Sequence, residues 1–146
     1  MREIIFRGKR KDNSKWVTGR NIVFSDGEKL TPYIIPTGTS MLGFDSPSYS
    51  IMMSVFYEII PETVGQYTGL TDKNSKKIFE GDIVKIYLYE PKGLANYEIG
   101  CIKYDDIKAR FVFCTEKGNY GIDNSNVFEV IGNIHDNPEL LKGGAE

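Results

Sequence analysis

Side chains that could do chemistry are few in this chain and are spread along it. The only histidine, His135, precedes Asp136 and a segment that predicts a short helix, where an imidazole packs or caps more often than it acts as a base. The two cysteines stand thirteen residues apart with no histidine nearby, so the spacing of a zinc site is missing. No glycine-rich phosphate-binding motif occurs. We therefore predict no catalytic residue, no metal and no cofactor.

The two cysteines, Cys101 and Cys114, lie in the strand-like runs GCIKY and FVFCT. A thiol inside a strand usually behaves as a small hydrophobic side chain. We expect both thiols to be buried and reduced, with a disulfide or a redox pair as the alternative.

Arg110 is the only arginine after residue 20, and it could stabilise a phosphorane in a small endoribonuclease. Such an enzyme also needs a serine or threonine hydroxyl beside the arginine, and no motif places one there. Asp105 and Asp106 could bind Mg²⁺ through their carboxylates, but adjacent acids in a turn are more often solvated. A nuclease is therefore the least favoured of the functional hypotheses.

Basic residues are concentrated at the start of the chain. Residues 1–20 contain seven basic and two acidic residues, a balance of +5, whereas the remainder has a balance of −7. The Asp-Asn-Ser run at 12–14 predicts the turn of a hairpin, because these side chains bond their own backbone. Lysine and arginine can follow phosphates, and an indole can stack on a base. The residues predicted to bind nucleic acid are Arg7, Lys9, Arg10, Lys11, Lys15 and Trp16.

A second interpretation of this basic hairpin is purely structural. Trp16 would pack into the core, and the lysine and arginine side chains would form a solvated face. The acidic remainder of the chain and its isoelectric point near 5.5 favour this interpretation.

The elements that must position these residues are mostly strands. Short runs rich in Val, Ile, Phe and Tyr are separated about every ten residues by turn clusters, which is typical of a small β-barrel or sandwich. The run WVTGRNIVF predicts one strand that returns from the first turn. In DIVKIYLY, alternation places Val84 and Ile86 on one face and Ile83 and Lys85 on the other.

The tail predicts the one helix of the chain. Asn137 suits the N-cap, Pro138 the first helical position and Gly143 the C-terminal stop. A helix of roughly one to two turns is not stable alone, so it needs Leu140 and Leu141 to dock on the sheet.

Residues 30–57 have an unusual composition, because Asp45 is their only formal charge and Pro, Gly, Ser, Met and aromatic residues dominate. One interpretation is a strand pair, YIIP with SIMMSVFYEII. The other is a surface covered by another subunit, since uncharged surface rich in Met and aromatic side chains is typical of interfaces. On this basis we expect a homo-oligomer.

Two segments of the chain resemble each other. FRGKRKDNSKWVTGRNIV and YTGLTDKNSKKIFEGDIV share a glycine, an Asn-Ser-Lys turn and a closing Ile-Val at an offset of 61 residues. An internal repeat would explain this likeness. Convergence of two hairpins on the same turn chemistry also explains it, and it is favoured because Asn and Asp suit such turns for local reasons.

No apolar run approaches the roughly 18 residues that span a bilayer, and the charged N-terminus lacks the pattern of a signal peptide. We expect a protein of the cytoplasm that has no membrane partner.

Three stretches together resemble a known family. ETVGQYTGLTDKNSKKIFEGDIVKI at 62–86, with MREIIFRGKR before it and VIGNIHDNPELL at 130–141 after it, resembles the YopX family of small proteins encoded mainly by bacteriophages and prophages. The resemblance implies a mainly β fold, with an SH3-like barrel in the C-terminal part and a β-rich N-terminal portion. With the predicted C-terminal helix, this places a domain boundary between residues 1–66 and 67–146; one compact unit is the alternative.

What the resemblance implies about function is limited, because the biochemical role of the family is unassigned and no catalytic residues can be carried over. It implies a phage or prophage origin and a place in the host cytoplasm. Our leading hypothesis is an accessory phage protein that acts by binding, as a homo-oligomer. The alternative is a nucleic-acid-binding module that uses the basic hairpin.

Overall fold

The structure is a computed structural model, and it describes residues 2–26, 30–36, 56–89, 93 and 95–143. The chain divides into two compact units, Met1–Gln66 and Tyr67–Glu146. Both units are built from antiparallel strands. The prediction of a mainly β chain with a curled, barrel-like sheet in the C-terminal part and a short C-terminal helix is confirmed.

The first unit is built from short strands and one 3₁₀ turn. In chain order these are β1 (Phe6–Lys9), β2 (Trp16–Gly19), β3 (Asn21–Asp26), β4 (Leu30–Ile35), β5 (Tyr57–Glu58), the 3₁₀ turn (Pro61–Thr63) and β6 (Gly65–Thr71), which starts in this unit and ends in the second.

Two groups of strands form this unit. Strand β1 pairs with β2, and Phe6 and Arg7 of β1 also pair with Gln66 and Gly65 of β6. Strands β3, β4 and β5 form a separate antiparallel sheet in that order. The prediction that SIMMSVFYEII pairs with YIIP agrees with the β4–β5 pairing as far as it can be followed, but residues 50–55 of this run lie outside the described residues.

The prediction of one strand over WVTGRNIVF is wrong, because the run is divided at Arg20 into β2 and β3, which belong to different sheets. The physical reason is a close approach at Gly19. A Cβ atom there would lie 1.9 Å from the carbonyl oxygen of Ile35, so the main chain of β4 passes where a side chain would stand. Only glycine allows the two strands to cross so closely.

The core of the first unit lies beneath the β1–β2 hairpin. Ile34 and Ile59 are fully buried, and a Cβ atom at Gly8 would lie 2.3 Å from Cγ2 of Ile59. The hairpin therefore turns Gly8 and Gly19 toward this core on the face that they share with Phe6 and Val17.

The second unit contains the longer strands. After the end of β6 come β7 (Lys77–Phe79), β8 (Asp82–Tyr89), β9 (Ala95–Asp105), β10 (Arg110–Thr115), β11 (Gly118–Gly121), β12 (Val127–Asn133) and the helix α1 (Glu139–Gly143). Five of them form one curled sheet in the order β11-β10-β9-β8-β12. Its apolar core consists of Ile78, Val84, Ile86, Ile102, Phe113 and Phe128.

The predicted alternation of β8 accounts for only some of its buried side chains. Val84 and Ile86 face the core, yet Ile83 on the opposite face is also fully buried. Gly132 pairs with Ile83, and a Cβ atom at Gly132 would lie 2.9 Å from Cδ1 of Leu140, so the C-terminal helix packs closely over this end of the sheet. Leu140 docks as predicted and helps to explain why the start of β8 is apolar on both faces, whereas the prediction is wrong for Leu141, which is 37% exposed.

The main chain of Asn137 agrees with the predicted N-cap, whereas its side chain bonds the end of β12. The main-chain carbonyl of Asn137 accepts the N–H of Leu140 at 3.1 Å, as an N-cap residue does. Its side-chain oxygen accepts the N–H of Asn133 at 3.3 Å, which ties the helix to the end of β12.

Candidate nucleic-acid interface

Three of the six predicted binding residues share the outer face of the β1–β2 hairpin. In the antiparallel register Lys9 lies opposite Trp16, and Arg7 lies opposite Thr18. Directly opposed residues point to the same side of a sheet. Because Gly8 on the other side packs against Ile59, these four side chains face away from the core.

Trp16 is held between its neighbours by contacts with two cations. Cζ of Arg7 lies 4.7 Å from the centre of the indole ring, and Nζ of Lys9 lies 5.6 Å from it. The indole is half-buried and is not one of the buried core residues. The interpretation in which Trp16 packs into the core therefore does not describe its position.

Arg10 is engaged in local contacts. Its guanidinium lies 3.8 Å from the ring centre of Tyr57 and makes two hydrogen bonds to the carboxylate of Asp12, of 2.9 and 2.5 Å. The hydrogen-bonded pair raises the pKa of Arg10 and lowers the pKa of Asp12. Much of the charge of Arg10 is therefore satisfied within the hairpin.

Lys11 and Lys15 complete the predicted set. Nζ of Lys11 lies 3.7 Å from the carboxylate of Glu58, and the main-chain N–H of Lys11 bonds the carbonyl of Glu58 at 2.9 Å. Lys15 is exposed, and its N–H donates to the side chain of Asn13 at 3.0 Å. The six residues thus divide into Arg7, Lys9 and Trp16 on one face, Arg10 and Lys11 in ion pairs, and Lys15 at the turn.

Thr63 fixes the end of β1, and sequence analysis missed it. Its hydroxyl accepts the N–H of Lys9 at 2.8 Å and donates to the carbonyl of Ile60 at 2.6 Å. The N–H of Ile60 in turn bonds the carbonyl of Lys9 at 2.9 Å. These bonds set the position of the Lys9 backbone, and no motif in the sequence announces them, because they join residues 54 apart.

Arg110 borders an open pocket of about 360 Å³ in the second unit. The pocket is lined by Thr68, Leu70, Arg110, Phe111, Gly121, Ile122 and Asp123. Thr68 therefore brings a hydroxyl to the pocket that Arg110 borders. That hydroxyl donates to the carbonyl of Ile78 at 2.8 Å and accepts the N–H of Leu70 at 3.1 Å, so its proton is already used in the backbone network.

The other reactive groups have structural roles in the part of the chain that the structure describes. Asp105 accepts the N–H of Ile107 at 3.0 Å and so shapes the turn after β9. The main-chain N–H of His135 donates to the side chain of Asn133 at 3.0 Å, and the residue is half-buried between β12 and the helix. Among the described residues no three His, Cys, Asp or Glu side chains are grouped to hold a metal ion.

A second group of cations and aromatic rings lies on the curled sheet, and sequence analysis did not single it out. Nζ of Lys85 lies 4.5 Å from the ring centre of Tyr97, which faces Tyr87 across β8 and β9. Lys73 contacts the Tyr87 ring at 4.9 Å but also forms a 2.6 Å ion pair with Glu129. In the sequence this group is visible only as the tyrosines of YLY and NYE. The register of β8 with β9 is what brings Tyr87 and Tyr97 together.

Within the described ranges, no helix is both long and apolar enough to cross a bilayer.

Comparisons with known proteins place the chain in a family. The family described as YopX protein matches residues 5–142. Among solved structures, protein EF1440 from Enterococcus faecalis has a crystal structure that is similar at 24% identity, covering 94% of this chain and 97% of that chain with a TM-score of 0.49. A comparison with curated proteins gives no match. The family match includes residues 62–86 and 130–141, on which the sequence resemblance was based, and the chain belongs to the YopX family.

Proposed function

We propose that this YopX-family chain is a phage or prophage accessory protein of the host cytoplasm that acts by binding single-stranded nucleic acid through the β1–β2 hairpin. The family resemblance supports the phage origin and the compartment. The observation that supports the ligand is the contact of Arg7 and Lys9 with Trp16 on the face of the hairpin that points away from the core.

This face combines the two features that single-stranded nucleic acid requires. Cationic side chains attract the phosphates, and an aromatic ring stacks on a base without selecting its identity. Contact with the indole limits the motion of the arginine and lysine side chains, so less conformational entropy is lost when they meet a phosphate.

The uneven distribution of charge along the chain favours an interface for nucleic acid that is confined to the β1–β2 hairpin. Residues 1–20 carry a balance of +5, whereas the remainder carries −7 and repels a polyanion. Within the hairpin the charges of Arg10 and Lys11 are partly satisfied by Asp12 and Glu58. Arg7, Lys9 and Lys15 belong to the same basic segment, and we expect each of them to contribute to the electrostatic part of binding.

Trp16 makes the test direct, because it is the only tryptophan of the chain. A single-stranded oligothymidine is titrated into the protein at two salt concentrations while tryptophan fluorescence is recorded. We expect the fluorescence to be quenched as a base stacks on the indole, and the affinity to fall as salt rises. Unchanged fluorescence together with no binding at the lower salt concentration would reject the proposal.

Charge-removing variants locate the interface. Arg7→Gln and Lys9→Gln should weaken binding, and each should reduce the slope of log affinity against log salt by about 0.7. Lys11→Gln removes a charge that forms an ion pair with Glu58 in the same hairpin, and it shows whether binding extends to the turn. Lys108→Gln removes one charge from an exposed turn of the second unit and should change nothing. Equal losses in all four variants would indicate attraction by overall charge alone.

Self-association is a second candidate function, and strand β3 supports it. Within the described residues β3 is an edge strand that pairs only with β4, and edge strands offer unpaired backbone groups to another chain. Phe24 on this strand is 51% exposed and Leu30, at the facing end of β4, is 66% exposed. We propose that a second copy pairs with β3 across a two-fold axis.

Light scattering tests self-association without reference to nucleic acid. A dimer at micromolar concentration should give twice the 16.5 kDa of the chain, and Phe24→Lys should return it to the monomer. A wild-type monomer would reject the second copy at β3 and leave the hairpin proposal standing.

A further inference from the structure

Cys101 and Cys114 are the only cysteines of the chain, and the structure places them directly opposite each other on neighbouring strands. Cys101 lies on β9 and Cys114 on β10, in the antiparallel register that also pairs Asp105 with Arg110. Both are free thiols here. The sequence separates them by thirteen residues, and the hairpin brings them together.

The register alone puts the pair within reach of a disulfide. Opposed residues of an antiparallel ladder have Cα atoms about 4.5 or 5.5 Å apart, depending on which kind of pair they form, and disulfides span Cα distances of about 4.4–6.8 Å. Opposed Cβ atoms lie about 4.5–5.5 Å apart and would have to approach by about an ångström. Bond formation therefore needs only a local adjustment of the backbone.

The two thiols differ in access. Cys101 is 5% exposed, in a strand against which the C-terminal helix packs, whereas Cys114 is half-buried. Burial first, and then the neighbouring Cys114, raise the pKa of the Cys101 thiol. A reagent in solution therefore meets Cys114 before it meets Cys101.

We propose that Cys101 and Cys114 form a reversible cross-strand disulfide when the protein meets a disulfide oxidant such as oxidised glutathione. The thiolate of Cys114 attacks one sulfur of the oxidant, forms a mixed disulfide and releases one glutathione thiolate. Cys101 then loses its proton to solvent and attacks the sulfur of Cys114, which forms the protein disulfide and releases the second glutathione. Two protein thiols are oxidised, and the oxidant is reduced to two thiols that take up the two protons.

The bond would connect two strands of the curled sheet and close the segment from Cys101 to Cys114. Such a closure restricts the unfolded chain and so favours the folded one. We expect the oxidised protein to melt at a temperature higher than the reduced protein by roughly 5–10 °C.

The wild-type protein decides the proposal by mass spectrometry. Purified protein is incubated with oxidised glutathione, treated with N-ethylmaleimide and weighed intact, with its elution volume recorded. We expect a chain that has lost two hydrogen atoms, carries no maleimide, elutes as before and regains both thiols in dithiothreitol. Two maleimide adducts, a stable glutathione adduct or a covalent dimer would each overturn the proposal.

Single variants test the order of the two attacks. Cys101→Ala should stop at the mixed disulfide of Cys114 with glutathione, whereas Cys114→Ala should remain unmodified because Cys101 is buried. Circular dichroism of both variants confirms that the strands are intact. Rapid glutathione attachment to Cys101 in the folded Cys114→Ala variant would contradict the assigned order.

Discussion

The hairpin of β1 and β2 and the hairpin of β6 and β7 share a left-handed serine in turns of different length. The N–H of Arg10 bonds the carbonyl of Lys15 in the first turn, whereas the N–H of Asp72 bonds the carbonyl of Lys76 in the second. Ser14 and Ser75, which are 61 residues apart, both adopt the left-handed region, with φ of 59° and 64°. The side chain of Asn13 accepts one main-chain N–H in the first turn, and that of Asp72 accepts two in the second. The likeness seen in the sequence is therefore a shared serine conformation within two turns of different length.

The two hairpins are held in place by different means. The first packs against its neighbours where side chains are missing, at Gly8 and Gly19. The second is fixed by the buried carboxylate of Asp72, which accepts the N–H groups of Asn74 and Lys76 and also reaches Val130 of β12 at 3.0 Å. Similar turn sequences thus indicate how the chain reverses and do not indicate how the hairpin is docked.

The glycine that aligns in the two segments shows the same contrast. A Cβ atom at Gly8 would collide with Ile59, so space requires glycine there. Gly69 has open space around it, but its φ of +91° is one that other residues rarely adopt. Glycine is therefore required at the two equivalent positions for different physical reasons, lack of space at Gly8 and a positive φ at Gly69.

The largest effect is expected at Gly19. In Gly19→Ala the new Cβ atom would lie 1.9 Å from the main-chain oxygen of Ile35, so the backbone of β4 must move. We expect the first unit to lose about 3 kcal/mol of stability, measured by urea unfolding. Thr18→Ala, at the exposed neighbouring position, is the control and should cost little. A Gly19→Ala variant with an unchanged urea midpoint would mean that the close approach at β4 is not rigid.

The next effect is expected at Asp72, which is 7% exposed. Asp72→Ala leaves three main-chain N–H groups without their carboxylate, and we expect a loss of about 2–4 kcal/mol from the second unit. Asp123→Ala is the matched control, because Asp123 also accepts a main-chain N–H but is exposed. If both variants unfold at the same urea concentration, burial of the Asp72 network does not stabilise the second unit.

The pH dependence of stability separates the effect of the Asp72 charge from the effect of its side-chain shape. Burial acts to raise the pKa of Asp72, but the N–H groups of Val130, Lys76 and Asn74 outweigh it together, and the pKa lies below the usual 3.8. A lowered pKa in the folded state means that the stabilisation is complete above pH 3.8 and is lost as pH falls through the lower, folded value. Asp72→Asn should therefore be less stable at pH 7, by urea unfolding, and should lose less stability on acidification. A wild-type protein whose acid sensitivity equals that of Asp72→Asn would refute this role.

The smallest effect should come from the turns themselves. Ser14→Gly and Ser75→Gly relieve a left-handed serine at the cost of a more flexible unfolded chain, so each should stay within about 0.5 kcal/mol of the wild type, on the stabilising side. If the serine has the same role in both turns, the two variants should change the free energy of unfolding of their own units by the same amount, measured from the thermal midpoints. Shifts of opposite sign would show that the left-handed serine does not have the same energetic role in the two turns.

Local chemistry made much of the fold predictable. Turns built on Asn13 and Asp72, the alternation of Val84 and Ile86, and the helix at the tail follow from neighbouring residues. The break between β2 and β3 does not, because it depends on β4 passing over Gly19. A residue that must be small for a distant strand looks the same in sequence as a residue that merely turns the chain.

The arrangement of the candidate site residues could not be predicted from the sequence. The alternation Arg7-Gly8-Lys9 would have shown which side of the hairpin carries the cations, had the glycine been known to face Ile59. The ion pair of Lys11 with Glu58 joins distant segments, so no local pattern reveals it. The opposition of Cys101 and Cys114 follows once the turn of residues 106–109 fixes the register.

The Asp72 carboxylate also has a consequence for the order in which the second unit folds. Its bonds to Asn74 and Lys76 close within a few residues, whereas its bond to Val130 spans 58 residues, and the N–H of Lys73 bonds the carbonyl of Phe128 beside it. Local contacts form sooner than distant ones, so the turn should form early, before β12 is in place to bond Asp72. A ribosome that has not yet released β12 would therefore carry a hairpin with one carboxylate oxygen still facing water.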